Sequence, residues 1–301
     1  MMPNVSVVIP TYNRKTLLLE ALVSVFAQTY QDYEVIVVDN ESTDGTKEAL
    51  APFLGRIRYI RKSHGGEASG RNRGIREARL PYVAFLDSDD LWEADFLAIT
   101  VTYLKENPEV GMVCTAWRTM PGGRREPRIR KRIVAGNLFP LLMRQSFVNN
   151  SAVVARRECF EKVGYFDENL PIATDYDMWL RFTSTYPVAF LNTPLVRRRK
   201  HPGNISRDRV LLREYALRVV ESHYDPKKVP RSVYERLRSE LYISMGRAHM
   251  KVGDVQRAKG CFRQAASVTP YRLRPLRYLW LAALAGRWRG AGSSAREQDR
   301  G

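Results

Sequence analysis

The feature that most constrains this chain is a series of short, β-branched apolar runs spaced regularly through its first 120 residues. Residues 5–9 form one run, closed by Pro10. Residues 34–39, reading EVIVVD, form another, and 57–61, 82–86 and 111–117 follow. The segments 14–28, 67–79 and 95–106 between them carry helical periodicity, and Asn107-Pro108 stops the last of these. Strand-length runs without polar alternation are strands buried on both faces, and strands that alternate with helices build βαβ units. The pattern predicts an α/β domain on a mostly parallel sheet with helices on both faces. In such sheets, ligands bind beyond the carboxyl ends of the strands.

Of the 301 residues, 44% are hydrophobic and 27% charged, which excludes a disordered or low-complexity chain. Cys114, Cys159 and Cys261 form no CxxC pair, so reduced thiols are expected instead of a disulfide framework or a zinc cluster. The chain runs from Met1-Met2-Pro3-Asn4 into its first strand without signal-peptide anatomy. No stretch reaches the roughly 18 apolar residues of a spanning helix. The expectation is a cytoplasmic protein, soluble or peripheral on the inner face of the cell membrane. The net charge of +17 divides unevenly. Residues 1–194 carry 24 Lys and Arg against 23 Asp and Glu; residues 195–301 carry 25 against 9, a net of +16. That asymmetry fits either an anionic partner surface or a solvated, arginine-rich helical face. No recognisable reader motif accompanies it, so specific nucleic-acid binding is not expected.

Polar residues stand where the predicted strands end. The first run leads into Thr11-Tyr12-Asn13-Arg14, the second ends on Asp39, and the fourth leads into Asp87-Ser88-Asp89-Asp90. Carboxylates at this spacing repel one another unless a cation lies among them. Hard oxygen ligands of this kind suit Mg²⁺ or Mn²⁺. The competing reading is an acidic turn that caps a helix starting near Trp92. A dinucleotide-binding fold is disfavoured, because HGGEASG at 64–70 is not GxGxxG and follows the third strand.

Seven segments occur in order: VSVVIPTYNR at 5–14, VVDNESTDGT at 37–46, GRNRGIREAR at 70–79, FLDSDDLW at 85–92, VVARRECFEKVGYFDENL at 153–170, TDYDMWLR at 174–181 and RRRKHPGNIS at 197–206. They resemble the successive signatures of family 2 glycosyltransferases with the GT-A fold, over about residues 4–206. The resemblance implies a Rossmann-like GT-A domain over 1–206, with a nucleotide half of about 1–117 and an acceptor half of about 137–206. It implies metal-dependent, inverting transfer from a nucleoside-diphosphate sugar to a hydroxyl of a glycan or lipid-linked acceptor, as in cell-surface polysaccharide synthesis.

The resemblance also implies a site. By similarity, Asp89 and Asp87 hold Mn²⁺ or Mg²⁺ together with His201, although His201 reads equally as an exposed histidine in a basic loop. Pro10, Thr11, Tyr12, Asn13, Arg14, Asp39, Arg71, Asn72, Asp87 and Ser88 bind the nucleotide sugar. Tyr12 offers a face to the base and Asp39 an acceptor for a ring N–H, which favours a UDP-sugar. Asp175 is the catalytic base, with Asp177 as the alternative. The chain departs from the family pattern at Thr174, where glutamate is usual, at Gly70, where alanine is usual, and at His64, where asparagine is usual.

Residues 124–132 hold six Lys and Arg, read either as an acceptor-side loop that attracts a phosphorylated lipid carrier or as a solvated loop. Beyond residue 206 an all-α domain, 207–301, is expected. Tyr242, Met245, Gly246, Gly253, Ala258, Phe262, Ala265 and Pro270 have the offsets of one tetratricopeptide-like repeat at about 239–272. A lone repeat packs on the enzyme domain or on another subunit, so a protein partner or self-association is expected there. Segment 271–289 interleaves Tyr271, Tyr278, Trp280 and Trp288 with arginines. That composition suits an anionic membrane interface or a core-packing helix with a charged face. The alternative function is a catalytically silent protein that binds partners through these helices; the intact set of Asp39, Asp87, Asp89 and Asp175 weighs against it.

Overall fold

The computed structural model describes residues 4–127, 129, 132–201 and 208–283. The chain divides into two compact units, Met1–Asn204 and Ile205–Gly301.

In the first unit each of the five predicted apolar runs is a strand. β1 (Val5–Thr11), α1 (Lys15–Phe26), β2 (Tyr33–Asp39), the single turn α2 (Thr46–Ala49), β3 (Arg58–Arg61), α3 (Gly66–Glu77) and β4 (Tyr82–Phe85) form the βαβ half. The chain continues through β5 (Leu91–Trp92), α4 (Phe96–Glu106), β6 (Met112–Met120), β7 (Arg125–Glu126), β8 (Ile133–Gly136), α5 (Phe139–Arg144), β9 (Val153–Arg156), α6 (Cys159–Val163), α7 (Thr174–Thr185) and β10 (Val188–Arg199). One sheet has the order β3-β2-β1-β4-β9-β6-β10-β5. Strands β3, β2, β1 and β4 run parallel, as do β6 and β10. β9 is antiparallel to both β4 and β6 and joins the two parallel sets into one mixed sheet.

Val5, Val7, Val8 and Ile9 are all fully buried, which is why β1 shows no alternation. Val7 and Ile9 share a core with Leu18, Leu22 and Val25 of α1, each such side chain contributing about 1.5–3 kcal/mol. On the other face α3 lies directly on β1: a Cβ added to Gly74 would come within 2.1 Å of Val8 Cγ1. Pro10 fits inside β1 because the Val8 carbonyl accepts Leu86 N on the β4 side, so the missing Pro10 N–H also faces that side. The β1–β4 ladder has already ended there, at Val8 and Phe85.

The basic segment after β6 is not a plain loop. Its β7 pairs with β6 and its β8 with β10, while Arg128, Arg130 and Lys131 lie outside the described residues. Cys114 and Cys159 are buried and all three cysteines are free thiols.

The second unit contains α8 (Arg209–Ser222), α9 (Arg231–Lys251) and α10 (Val255–Val268), followed by helical residues 273–283. Asp208 caps α8 and Asp254 caps α10 through their side chains. The α9–α10 hairpin closes where Gly246 meets Phe262; a Cβ at Gly246 would lie 2.4 Å from Phe262 Cε1. Ser239 Oγ adds hydrogen bonds to Thr269 Oγ1 and the Ala265 carbonyl. The predicted Trp288, with Arg287 and Arg289, lies outside the described residues. No helix among the described residues is long and apolar enough to cross a membrane.

Candidate active site

The polar ends of β1, β2 and β4 converge on one edge of the sheet. Two loops there are stitched together: Asn13 N donates to Ser42 Oγ, Thr43 N donates to Asn13 Oδ1, and Lys15 N at the start of α1 donates to Asp44 Oδ2. Asn13 (φ 49°), Glu41 (φ 67°) and Ala173 (φ 63°) are the non-glycine residues with positive φ among those described. Each such residue costs about 1–3 kcal/mol. Asn13 is one of the residues the sequence singled out, and Glu41 and Ala173 each stand two positions from another, Asp39 and Asp175.

Asp39 is buried at the end of β2. Its Oδ1 accepts Ser42 N at 2.8 Å and its Oδ2 accepts the Tyr59 hydroxyl at 2.6 Å. Nearby, Tyr12, 44% exposed, faces the His64 ring with centroids 4.3 Å apart at 47°. The buried Thr11 Oγ1 and Asn40 Oδ1 have no hydrogen-bond partner among the described residues. Tyr12, His64, Asp39 and Tyr59 thus give this edge two aromatic faces, a carboxylate and a phenol. Tyr59 was not singled out from the sequence, although β3 pairs it with Val37. Strand alternation therefore puts it on the same face as Asp39. The departure at Gly70 has a local cause: a Cβ there would press on Asn40 Nδ2 at 2.8 Å and on Pro10 Cβ at 3.0 Å.

The acidic segment caps no helix. Residues 91–92 form strand β5, antiparallel to β10, and α4 starts only at Phe96. The carboxylates of Asp87, Asp89 and Asp90 bring ligand atoms within 4.8 Å of one another. Each also has a basic or hydroxyl partner. Asp87 Oδ1 accepts Arg71 at 2.6 Å, and Asp89 Oδ2 meets His201 Nε2 at 2.8 Å and Arg14 at 3.2 Å. Asp90 accepts Ser151 Oγ at 2.7 Å and Arg199 N at 2.9 Å. Burial, with Asp89 and Asp87 beside it, pushes the Asp90 carboxyl up to about 8. Crowded carboxylates with an imidazole at 2.8 Å from one of them form a donor set that fits a hard divalent cation. Ser151 and Arg199 were missed from the sequence because each acts from a distant element, Ser151 through its hydroxyl and Arg199 through its backbone N–H to Asp90 and its Nε to the Asp89 carbonyl.

Asp175 stands in the first turn of α7, and its Oδ1 accepts Tyr176 N at 2.8 Å. Burial raises its carboxyl above the ordinary carboxylate range, with Arg71 and Arg198 opposing the shift and Asp87 adding to it. Asp177, the alternative base, is tied to Arg181 at 2.8 Å, and Arg181 also donates to the Val163 and Tyr165 carbonyls. Arg71 is buried beside Asp87 and electrostatically coupled to Asp175. Asn72, next on α3, turns instead to Phe166 and Glu168.

The family profile described as glycosyl transferase family 2 matches residues 6–185. The chain belongs to this family. It is 31% identical over 207 residues to an uncharacterized glycosyltransferase of Rickettsia typhi, covering 66% of this chain and 64% of that one. It is 28% identical over 213 residues to chondroitin synthase of Escherichia coli, covering 68% of this chain and 30% of that one. The chain spans about a third to two thirds of the length of the curated relatives it matches first. Among solved structures, S. aureus TarS 1–349 in complex with UDP-GlcNAc superimposes with a TM-score of 0.67 at 18% identity, covering 98% of this chain and 92% of that one. Mannosyltransferase PcManGT from Pyrobaculum calidifontis, in complex with GDP-Man and Mn²⁺, gives 0.60 at 22% identity, covering 96% and 88%. These likenesses establish the GT-A fold.

Proposed function

We propose that this glycosyltransferase-family protein moves a sugar from a nucleoside-diphosphate sugar to an acceptor hydroxyl with inversion. The observation that carries the reading is the meeting of Arg71 with Asp87 at 2.6 Å, with Asp175 in its electrostatic reach. One guanidinium is thus paired with the acidic cluster and feels the charge of the carboxylate assigned as base. Tyr12 and His64 supply ring faces for the nucleobase, and Asp39 accepts a ring N–H. A uracil N3–H suits that acceptor, and the TarS complex with UDP-GlcNAc supports a UDP-sugar. Arg14 and Arg71 take the diphosphate oxygens. Asp89, Asp87 and His201 would hold Mn²⁺ or Mg²⁺, a choice supported by the Mn²⁺ in the PcManGT complex; when bound, the ion neutralises charge on the departing diphosphate. Asp175 takes the proton as the acceptor oxygen bonds to the anomeric carbon, whose bond to the diphosphate oxygen breaks on the opposite face. The nucleoside diphosphate leaves with that electron pair.

We assign the catalytic domain to 1–206 and read 207–301 as a helical domain with a tetratricopeptide-like hairpin at about 239–272. The acceptor is a glycan or lipid-linked glycan hydroxyl, in keeping with polysaccharide-polymerising relatives such as chondroitin synthase. The second unit favours a peripheral membrane position: Leu273, Leu276, Trp280 and Leu281 are exposed on helical residues 273–283, beside Arg274 and Arg277.

A panel of UDP-, GDP- and dTDP-sugars with Mn²⁺, scored by release of nucleoside diphosphate, tests the reading. One donor is expected to be turned over, and Asp89→Ala or excess EDTA to abolish turnover. No turnover of any donor with any glycan acceptor overturns the enzyme; full activity in EDTA overturns the metal.

A further inference from the structure

Asn72 is buried in α3, and its amide is fully engaged. Oδ1 accepts Phe166 N at 2.8 Å, and Nδ2 donates to the Phe166 carbonyl at 2.9 Å and to Glu168 Oε1 at 2.7 Å. An asparagine amide has two N–H donors, so neither proton remains for a diphosphate. The partner residues stand 94 and 96 positions along the chain. They belong to the segment between α6 and α7, which delivers Asp175.

We propose that Asn72 is a positioning residue that fastens the 164–173 segment to the donor half of the site, holding Asp175 opposite the diphosphate, and does not itself bind the donor. The inference rests on the transferase reading for its kinetic consequence alone. Three independent features converge on the same segment. The Phe166 ring packs edge-on against Phe85 and Trp179, with the Arg71 guanidinium 5.6 Å above it. Arg181 holds the Val163 and Tyr165 carbonyls just upstream. The segment ends at Ala173, whose left-handed backbone (φ 63°) sets the entry angle of α7. A strained residue persists only where its surroundings over-determine it, and Asn72 supplies that constraint from the donor side. Adjacent residues of one helix therefore serve the two halves: Arg71 reaches Asp87, and Asn72 holds the segment that carries the base.

The test separates donor binding from turnover. Asn72→Asp keeps size and the acceptor for Phe166 N but sets an oxygen against the Phe166 carbonyl and Glu168. The expected result is a fall in kcat of tenfold or more, with UDP affinity by calorimetry within about twofold, which also certifies the fold. Hydrogen exchange is expected to quicken in the 164–173 segment and not in β1 or α1. Adding Glu168→Gln to the same chain supplies an N–H to the new carboxylate and should recover at least a threefold share of kcat. Should Asn72→Asp fail to fold, Glu168→Ala, at an exposed position, serves instead: kcat down at least twofold with an unchanged donor KM. UDP affinity that falls as steeply as kcat would make Asn72 a donor ligand. Unchanged kcat and exchange, or no rescue by Glu168→Gln, would equally overturn the proposal. If the wild-type chain turns over no donor while the exchange effect persists, the fastening stands and the transferase reading fails.

Discussion

At the residue scale the base assignment turns on two carboxylates two residues apart in the first turn of α7. Asp177 is neutralised by Arg181, which also holds the preceding segment, whereas Asp175 is desolvated and feels the charges of Arg71 and Asp87. Asp175→Asn is nearly isosteric, so UDP affinity should persist while kcat drops by about 10²–10⁴-fold, the usual worth of a general base. Asp177→Asn should instead lower thermal stability with a small change in kcat; the reverse pattern in steady-state assays would reassign the base. The raised Asp175 carboxyl also sets a pH dependence. A base works ionised, so activity is lost on acidification, and the loss should begin above the range near 4 of an ordinary carboxylate. Arg198 favours the ionised form, so Arg198→Gln should move the acid limb of the kcat profile to higher pH. At the other end of the site, Tyr59→Phe deletes a hydrogen bond to a charged acceptor. It should raise donor KM by about tenfold, the equivalent of 1.5 kcal/mol, and leave kcat nearly unchanged. A kcat loss with constant KM would separate Tyr59 from the nucleobase.

Elements show why the sequence was informative in its first third and less so afterwards. Strands β1, β2, β4 and β6 are buried on both faces and reveal themselves as unbroken apolar runs; the polar residues at their ends then mark the site edge. β5, β7 and β8 are two to four residues long, too short for any period to register. β10 is long but carries Asn192 and Pro194, with register shifts on either side of Pro194, so its alternation is broken. The basic 124–132 segment read as a loop because its charge hides the two-residue β7, which pairs back on the adjacent β6, while β8 just beyond it is defined only by its distant partner β10. The same holds for the site: Asp39, the acidic cluster and Asp175 were legible as strand-end or motif carboxylates. Ser151, Tyr59 and Arg199 serve through contacts that no local spacing encodes. α3 offers a test of element packing. Alanine is preferred to glycine inside a helix by about 1 kcal/mol, yet Gly74→Ala drives a methyl into Val8. Net destabilisation of about 1–3 kcal/mol is expected. Val8→Ala in the same chain should cost less than the sum of the single changes in a denaturant-melt cycle; strict additivity would deny the contact.

At the scale of the whole molecule the question is what the basic second unit meets. Residues 205–301 carry 21 Lys and Arg against 9 Asp and Glu, so a second copy of this unit would meet like charge. An anionic surface would not. Tyr278, Leu279 and Ala282 of the helical 273–283 segment pack against Phe262 and Ala258, yet Leu273 is 80% and Trp280 62% exposed. The helix is apolar inward and largely apolar outward, with Arg277 within the outward stripe and Arg274 at its flank, paired with Glu240 at 2.6 Å. An outward apolar stripe beside arginines is the composition of a helix lying in a headgroup layer. Each engaged Lys or Arg contributes about 1 kcal/mol on an anionic leaflet, so four or five suffice for measurable attachment. Sedimentation with phosphatidylserine-containing vesicles is expected at low salt, with little on phosphatidylcholine alone. Release is expected near 1 M salt, where screening shortens to about 3 Å. Trp280→Ala with Leu276→Asp should reduce attachment at least tenfold and leave donor turnover intact, because the residues assigned to the donor all precede 202. Equal indifference to both vesicle types at low salt would remove the membrane from the proposal and return the exposed stripe to a protein partner.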